Sequence, residues 1–165
     1  NSSFLTSGGI SGTITDVTMG NSSYAFSVSG DISGTITDVT MGNIDNYAFT
    51  ADNITGTITD VVIGNVNYMV STSGDISGTI TNIILGNTII AFYSGGNISG
   101  TITDVTMGNV SNKSFDADNI SGTITNINMG DIQTSFDGII SGTISNINMN
   151  NVSSNAFNGD EISEQ

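Results

Sequence analysis

The sequence predicts an all-β chain, a parallel β-solenoid of about seven 22-residue coils with no capping helix. Three observations carry the prediction: a hexapeptide that recurs at near-constant spacing, alternation of apolar and hydroxylated residues within it, and glycines at fixed offsets. The hexapeptide ISGTIT begins at Ile10, Ile32, Ile76, Ile98 and Ile120, with ITGTIT at Ile54 and ISGTIS at Ile140. Successive starts lie 22 residues apart until the last step, which is 20. A single domain over 1–165 follows, with a partial coil over 1–9, seven coils over 10–159, and the start of a further coil or a tail over 160–165.

Within the coil that starts at Ile10, Ile10 and Ile14 share one face while Ser11, Thr13 and Thr15 take the other, the period of a strand. Alternation breaks at Asp16 and resumes with Val17 and Met19 inward, which marks Asp16 as a corner. The next pair, Gly20-Asn21, recurs coil by coil, and both residue types tolerate the left-handed backbone region, so it is expected to form a second corner. One aromatic closes most coils, namely Phe26, Phe49, Phe92, Phe115, Phe136 and Phe157, with Val70 in the third coil and Phe4 in the partial one. These rings are expected in the core, filling space left by Gly12 and its equivalents. Met19, Met41, Met107, Met129 and Met149 are read as core gap fillers. Helix is excluded by the regular glycines and the β-branched majority. One coil cannot bury its own apolar face, so each is held by its neighbours.

Net charge is −14, from 15 acidic residues against one basic residue, Lys113. Nucleic acid and anionic membranes are bound through Lys/Arg clusters that this chain lacks, so neither is an expected partner. Cysteine is absent, which excludes disulfides and thiolate metal sites. No apolar run reaches the roughly 20 residues of a membrane-spanning helix. Catalysis has little material: His, Cys and Arg are missing, Lys113 stands alone, and the carboxylates recur in columns with no unique cluster. The chain is not expected to be an enzyme.

Stacking converts repeated residues into columns. The outward Ser-x-Thr-x-Thr gives a serine rank from Ser11, a threonine rank of Thr13, Thr35, Thr57, Thr79, Thr101 and Thr123, and a second of Thr15, Thr37, Thr59, Thr81, Thr103 and Thr125. Hydroxyls would recur at ~4.8 Å along the rod. Exposed threonine is also simply a good strand former, and in-register ladders favour it for packing. The column of Asp16, Asp38 and Asp60 is the best candidate for a metal, structural calcium, because it stacks three carboxylates; no other cofactor is expected. Asp31, Asn53, Asp75, Asn97 and Asn119 interleave charge with amide, and the Asn21 column reads as a turn ladder. Acceptor motifs for N-glycosylation fall at Asn1, Asn21, Asn53, Asn97, Asn109, Asn112, Asn119 and Asn151.

The repeat as a whole resembles the β-solenoid repeat proteins of cell surfaces and extracellular fibres. Its composition, rich in Ser, Thr, Asn and Gly without Cys, His, Trp or Pro, agrees with that resemblance. The resemblance implies an extracellular or cell-surface structural role. The Thr-x-Thr ranks also resemble the ice-binding face of β-solenoid antifreeze proteins, which implies ice as a ligand. A third reading is an adhesin or surface-layer fragment that meets carbohydrate. The structural role is favoured by the ends: the chain opens in mid-coil, and Gly159 to Ser163 repeat the opening of a coil. Phe4 and Ile10 at one end, and Phe157 and Ile162 at the other, are therefore expected to sit at unpaired edges that favour head-to-tail self-association.

Overall fold

A computed structural model describes residues 2–159; Ile162 and the expected further coil over 160–165 lie outside the described residues. The chain is a parallel β-solenoid of about seven coils, and no helix occurs among the described residues. Two sheets form opposite walls. The first, here the threonine sheet, stacks Thr57–Ile63, Thr79–Leu85, Thr101–Met107, Thr123–Met129 and Thr143–Met149 in order. In the first two coils the same stretch is split, as Thr13–Ile14 with Val17–Met19 and Thr35–Ile36 with Val39–Met41. The second, the aromatic sheet, stacks Ser2–Thr6, Ser22–Val28, Ile44–Ala51, Val66–Thr72, Thr88–Ser94, Val110–Ile120, Ile132–Ile140 and Val152–Asn158.

Register follows the repeat. Thr79 pairs with Thr57 and Thr101, Ile80 with Ile58 and Ile102, and Leu85 with Ile63 and Met107. The inward set is the expected one, since Ile32, Ile36, Val39, Met41 and Phe49 are buried together with their copies in the interior coils. The phenylalanines stack, with ring centroids 5.1 Å apart for Phe26 and Phe49 and 4.9 Å for Phe92 and Phe115; Val70 interrupts the pile, as expected. Each buried ring removes a large apolar area from water and gains offset contact with its copy. The aromatic sheet adds columns that the repeat concealed, among them Ala25, Ala48, Met69 and Ala91, and Ile44, Val66, Val110 and Ile132, all buried.

The corners differ from the expectation. Asp16, Asp38, Asp60, Asn82, Asp104, Asn126 and Asn146 do adopt the left-handed region, at φ 51 to 56. Asp16 and Asp38 mark a bend between two short strands, as expected, but from Asp60 onward these residues lie inside continuous strands such as Thr57–Ile63; in every coil the residue adds one outward position and restores the inward phase. Asp and Asn suit this kink because their short polar side chains tolerate that backbone. The turn between the walls instead falls at Ser11-Gly12 and its copies, so Ile10 is cut off from Thr13–Ile14 and pairs in a narrow ladder with Ile32, Ile54, Ile76 and Ile98.

Gly20-Asn21 and its copies turn without positive φ. Glycine is required there by close approach: a Cβ on Gly42 would run into the Asn21 side-chain oxygen of the preceding coil. The Ser-Gly turn is tighter still, because a Cβ on Gly34 would collide with the Gly12 carbonyl oxygen. The missing side chain therefore points along the stack at the preceding coil, not into a hole for a phenylalanine ring.

Two outcomes check this account. Ile80→Asp, which places an unpaired charge at a site with no solvent exposure, is expected to cost several kcal/mol in a urea melt. Gly100→Ala, whose Cβ would strike the Gly78 carbonyl, should lose about 1–3 kcal/mol, whereas Gly12→Ala, with open space before it, should stay within about 0.5 kcal/mol of the parent.

Candidate functional site

The two threonine ranks lie side by side on the outer face of the threonine sheet, in register from Thr13 and Thr35 to Thr123 and Thr143. The serine rank does not share their strand. It sits across the Ser-Gly turn, and a groove of about 370 Å³ runs between it and the first threonine rank, lined by Ser77, Gly78 and Thr79 and their copies. The second rank has work of its own. Thr37, Thr59 and Thr103 donate hydroxyl hydrogen bonds of 3.0, 3.0 and 3.1 Å to the carboxylates of Asp38, Asp60 and Asp104, and Thr15 reaches both Asp16 and Asp38 at 3.3 and 3.4 Å.

The column of Asp16, Asp38 and Asp60 is thus surrounded by hydroxyl donors, and amides enter further up. Asn82 donates its side-chain N–H to Asp60 at 3.2 Å, Asn126 to Asp104 at 3.0 Å, and Asn146 to Asn126 at 3.0 Å. Among the described residues no three acidic side chains converge in a geometry that would hold a metal ion. Donors on neighbouring coils balance these carboxylates, which is the usual way an ionised group is stabilised without a counter-ion.

Next to this column the outer face carries residues that the repeat alone did not single out. Val62 and Ile84 stand where other coils have Thr40 and Thr106, at 44% and 55% exposure, in the middle of the rod. On the opposite wall Tyr24, Tyr47 and Tyr68 stack at 5.8 and 4.8 Å. Lys113 follows in the same column two coils later and is not isolated. It pairs with Asp116 of its own coil at 3.1 Å and with Asp137 of the next, and Asn158 donates to Asp137 at 2.9 Å. Burial alone would lower the Lys113 pKa; the hydrogen bonds and charges of Asp137 and Asp116 outweigh it and hold it above the ordinary 10.5.

Six of the glycosylation-motif asparagines are ladder residues. Asn21 and Asn109 accept the main-chain N–H of Asn43 and Asp131 at 2.8 and 2.9 Å, so the ladder runs from side chain to backbone and not from amide to amide. Asn53, Asn97 and Asn151 donate their side-chain N–H to Asp31, Asp75 and Asp131, and Asn119 accepts from Ser141 at 3.2 Å. A glycan on Asn53, Asn97 or Asn151 would occupy the nitrogen that holds the coils together. Asn1 lies outside the described residues.

At the ends the core is open. Phe26, Phe49 and Phe136 have no exposure, whereas Phe4 is 38% and Phe157 44% exposed. Ile14, Val17 and Met19 at one end, and Ile144, Ile147 and Met149 at the other, are only half-buried, although their copies between are buried. Ile10, at the turn of the first coil, is already covered. Among the described residues no helix is long and apolar enough to cross a membrane. No protein-family model, curated protein sequence or solved structure matches the chain.

The Lys113 contacts set a pH dependence. A raised folded-state pKa contributes stability that is complete below the unfolded value, near 10.5, and is lost as pH rises through the folded value. Parent and Lys113→Met melts should therefore differ below pH 10 and converge as pH rises through the folded value, with a difference of about 1 kcal/mol or less for this part-exposed pair.

Proposed function

We propose that the chain is a structural rod of the extracellular or cell-surface kind, which stacks head to tail on further copies of itself and so forms a filament or a rigid stalk segment. The observation that supports this best is the in-register parallel stack, in which every coil offers its neighbour the same interface. The same phenylalanine column that is sealed in every interior coil is open at Phe4 and at Phe157. Strand edges there are unpaired by any neighbour among the described residues. Parallel, in-register sheets can be extended from either edge without new geometry, and a head-to-tail contact that does not close gives a fibre. Burying several half-exposed apolar side chains per joint, at about 1.5–3 kcal/mol each, offsets much of the cost of association.

The net charge of −14 opposes stacking. Assembly should accordingly strengthen with salt, which screens like-charged ends. Electron microscopy of the purified chain at low and high salt tests the proposal: filaments of one rod's width, more numerous at high salt, are expected, and Phe157→Asp should abolish them while leaving the melt of the rod nearly unchanged. Single rods under every condition would refute it.

The in-register threonine ranks support a second reading, ice binding through the outer face of the threonine sheet. Thermal hysteresis that disappears in a folded Thr57→Tyr variant would support it; a parent without hysteresis would dismiss it.

A further inference from the structure

All four tyrosines of the chain lie in the aromatic sheet, and three of them share one column. Tyr24 lies over Tyr47 and Tyr47 over Tyr68, with ring centroids 5.8 and 4.8 Å apart and ring planes inclined by 21° and 27°. All three residues are half-buried, so part of the stack meets solvent. Beyond Tyr68 the column passes to Ile90 and then to Lys113. Tyr93 stands in a different column, 37% exposed, with Ser71 and Asp116 as its in-register neighbours.

We propose that Tyr47 and Tyr68 form a site of oxidative cross-linking, in which a carbon–carbon bond joins the ring positions ortho to the two phenol oxygens and ties the second coil to the third. The oxidant is a peroxide, delivered through a haem peroxidase that removes one electron at a time. Each phenol gives up one electron and one proton and becomes a phenoxyl radical. The two radicals pair their unpaired electrons in the new bond, and the hydrogen on each joined carbon then returns to oxygen, which restores both phenols. Two electrons and two protons have left in all, and one hydrogen peroxide takes them up to become two waters.

Three observations favour this pair. The parallel register holds the two rings together in every molecule, which gives their coupling the proximity advantage of an intramolecular reaction. Tyr47 and Tyr68 are closer than Tyr24 and Tyr47. The composition also leaves the oxidant few alternatives, since Cys, Trp and His are absent. Met41, Met69, Met107 and Met129 are buried, Met19 and Met149 are half-buried, and methionine in any case ends as a sulfoxide without forming a cross-link. The new bond closes the loop from Tyr47 to Tyr68 and restricts the unfolded chain as a disulfide would, in a sequence that has no cysteine. The inference does not rest on head-to-tail stacking, because both rings belong to one chain.

The test treats the full chain with a haem peroxidase and one equivalent of hydrogen peroxide, at a dilution where sedimentation shows single rods. The expected product has the mass of one chain less two hydrogens, fluoresces as dityrosine and melts at a higher temperature than the untreated rod. Cleavage on the N-terminal side of aspartate separates the four tyrosines into four peptides, and residues 45–51 and 60–74 are expected to be released joined. Tyr68→Phe, which keeps a ring in the stack, should lower the yield of internal dityrosine roughly tenfold, whereas Tyr24→Phe and Tyr93→Phe should leave it within about twofold of the parent. No loss of mass, a map that joins other peptides, covalent dimers without the internal product, or an undiminished yield in Tyr68→Phe would overturn the assignment.

Discussion

Every side chain in this rod has its own copies as neighbours, one strand spacing above and below, and the rest of the structure answers to that constraint. Apolar columns satisfy it without cost, since phenylalanine stacks on phenylalanine and isoleucine on isoleucine. Ionised columns do not, because like charges about 5 Å apart repel. The chain meets this by substituting amides at intervals, Asn82 and Asn126 among the aspartates of the kink and Asn53 and Asn97 between Asp31, Asp75 and their neighbours. The single lysine lies where two aspartates, Asp116 and Asp137, stack without an amide between them.

The same constraint shapes what the molecule can do. A register that repeats nearly every residue spreads any group along the whole length. Surfaces here are therefore striped, and departures from the stripes carry the individuality of the chain: Val62 and Ile84 on one wall, and the three tyrosines and Lys113 on the other. Hydroxyls of the second threonine rank are already committed to the acidic column, so that rank contributes to the internal balance of the wall as well as to its outer face.

The period of the hexapeptide made the coil count, the parallel register and most of the core legible in advance. The turns were less so. Asp16 and Asp38 do bend the chain between two short strands, but from Asp60 onward the same break in alternation is a left-handed kink within one strand. Gly12 and Gly20 looked like residues chosen for conformational freedom or for space in the core; the crowding that selects glycine comes from the coil beneath and is absent from any single repeat. The pairing of Lys113 was hidden because Asp137 is distant in sequence and shares its neighbourhood only after the sixth coil shortens and the register slips.

The asparagine ladder bears on the mechanics of such a rod. Each rung is fastened to the next by one side-chain oxygen accepting a main-chain N–H, repeated from Asn21 through Asn109. These bonds lie along the long axis, so tension applied at the ends acts on one rung at a time and not on all rungs in parallel. A coil contributes about 4.8 Å to the length while wound, yet its 22 residues span about 75 Å when pulled straight. A stretched rod would consequently lengthen in discrete steps of some 70 Å, each dissipating the energy of one turn.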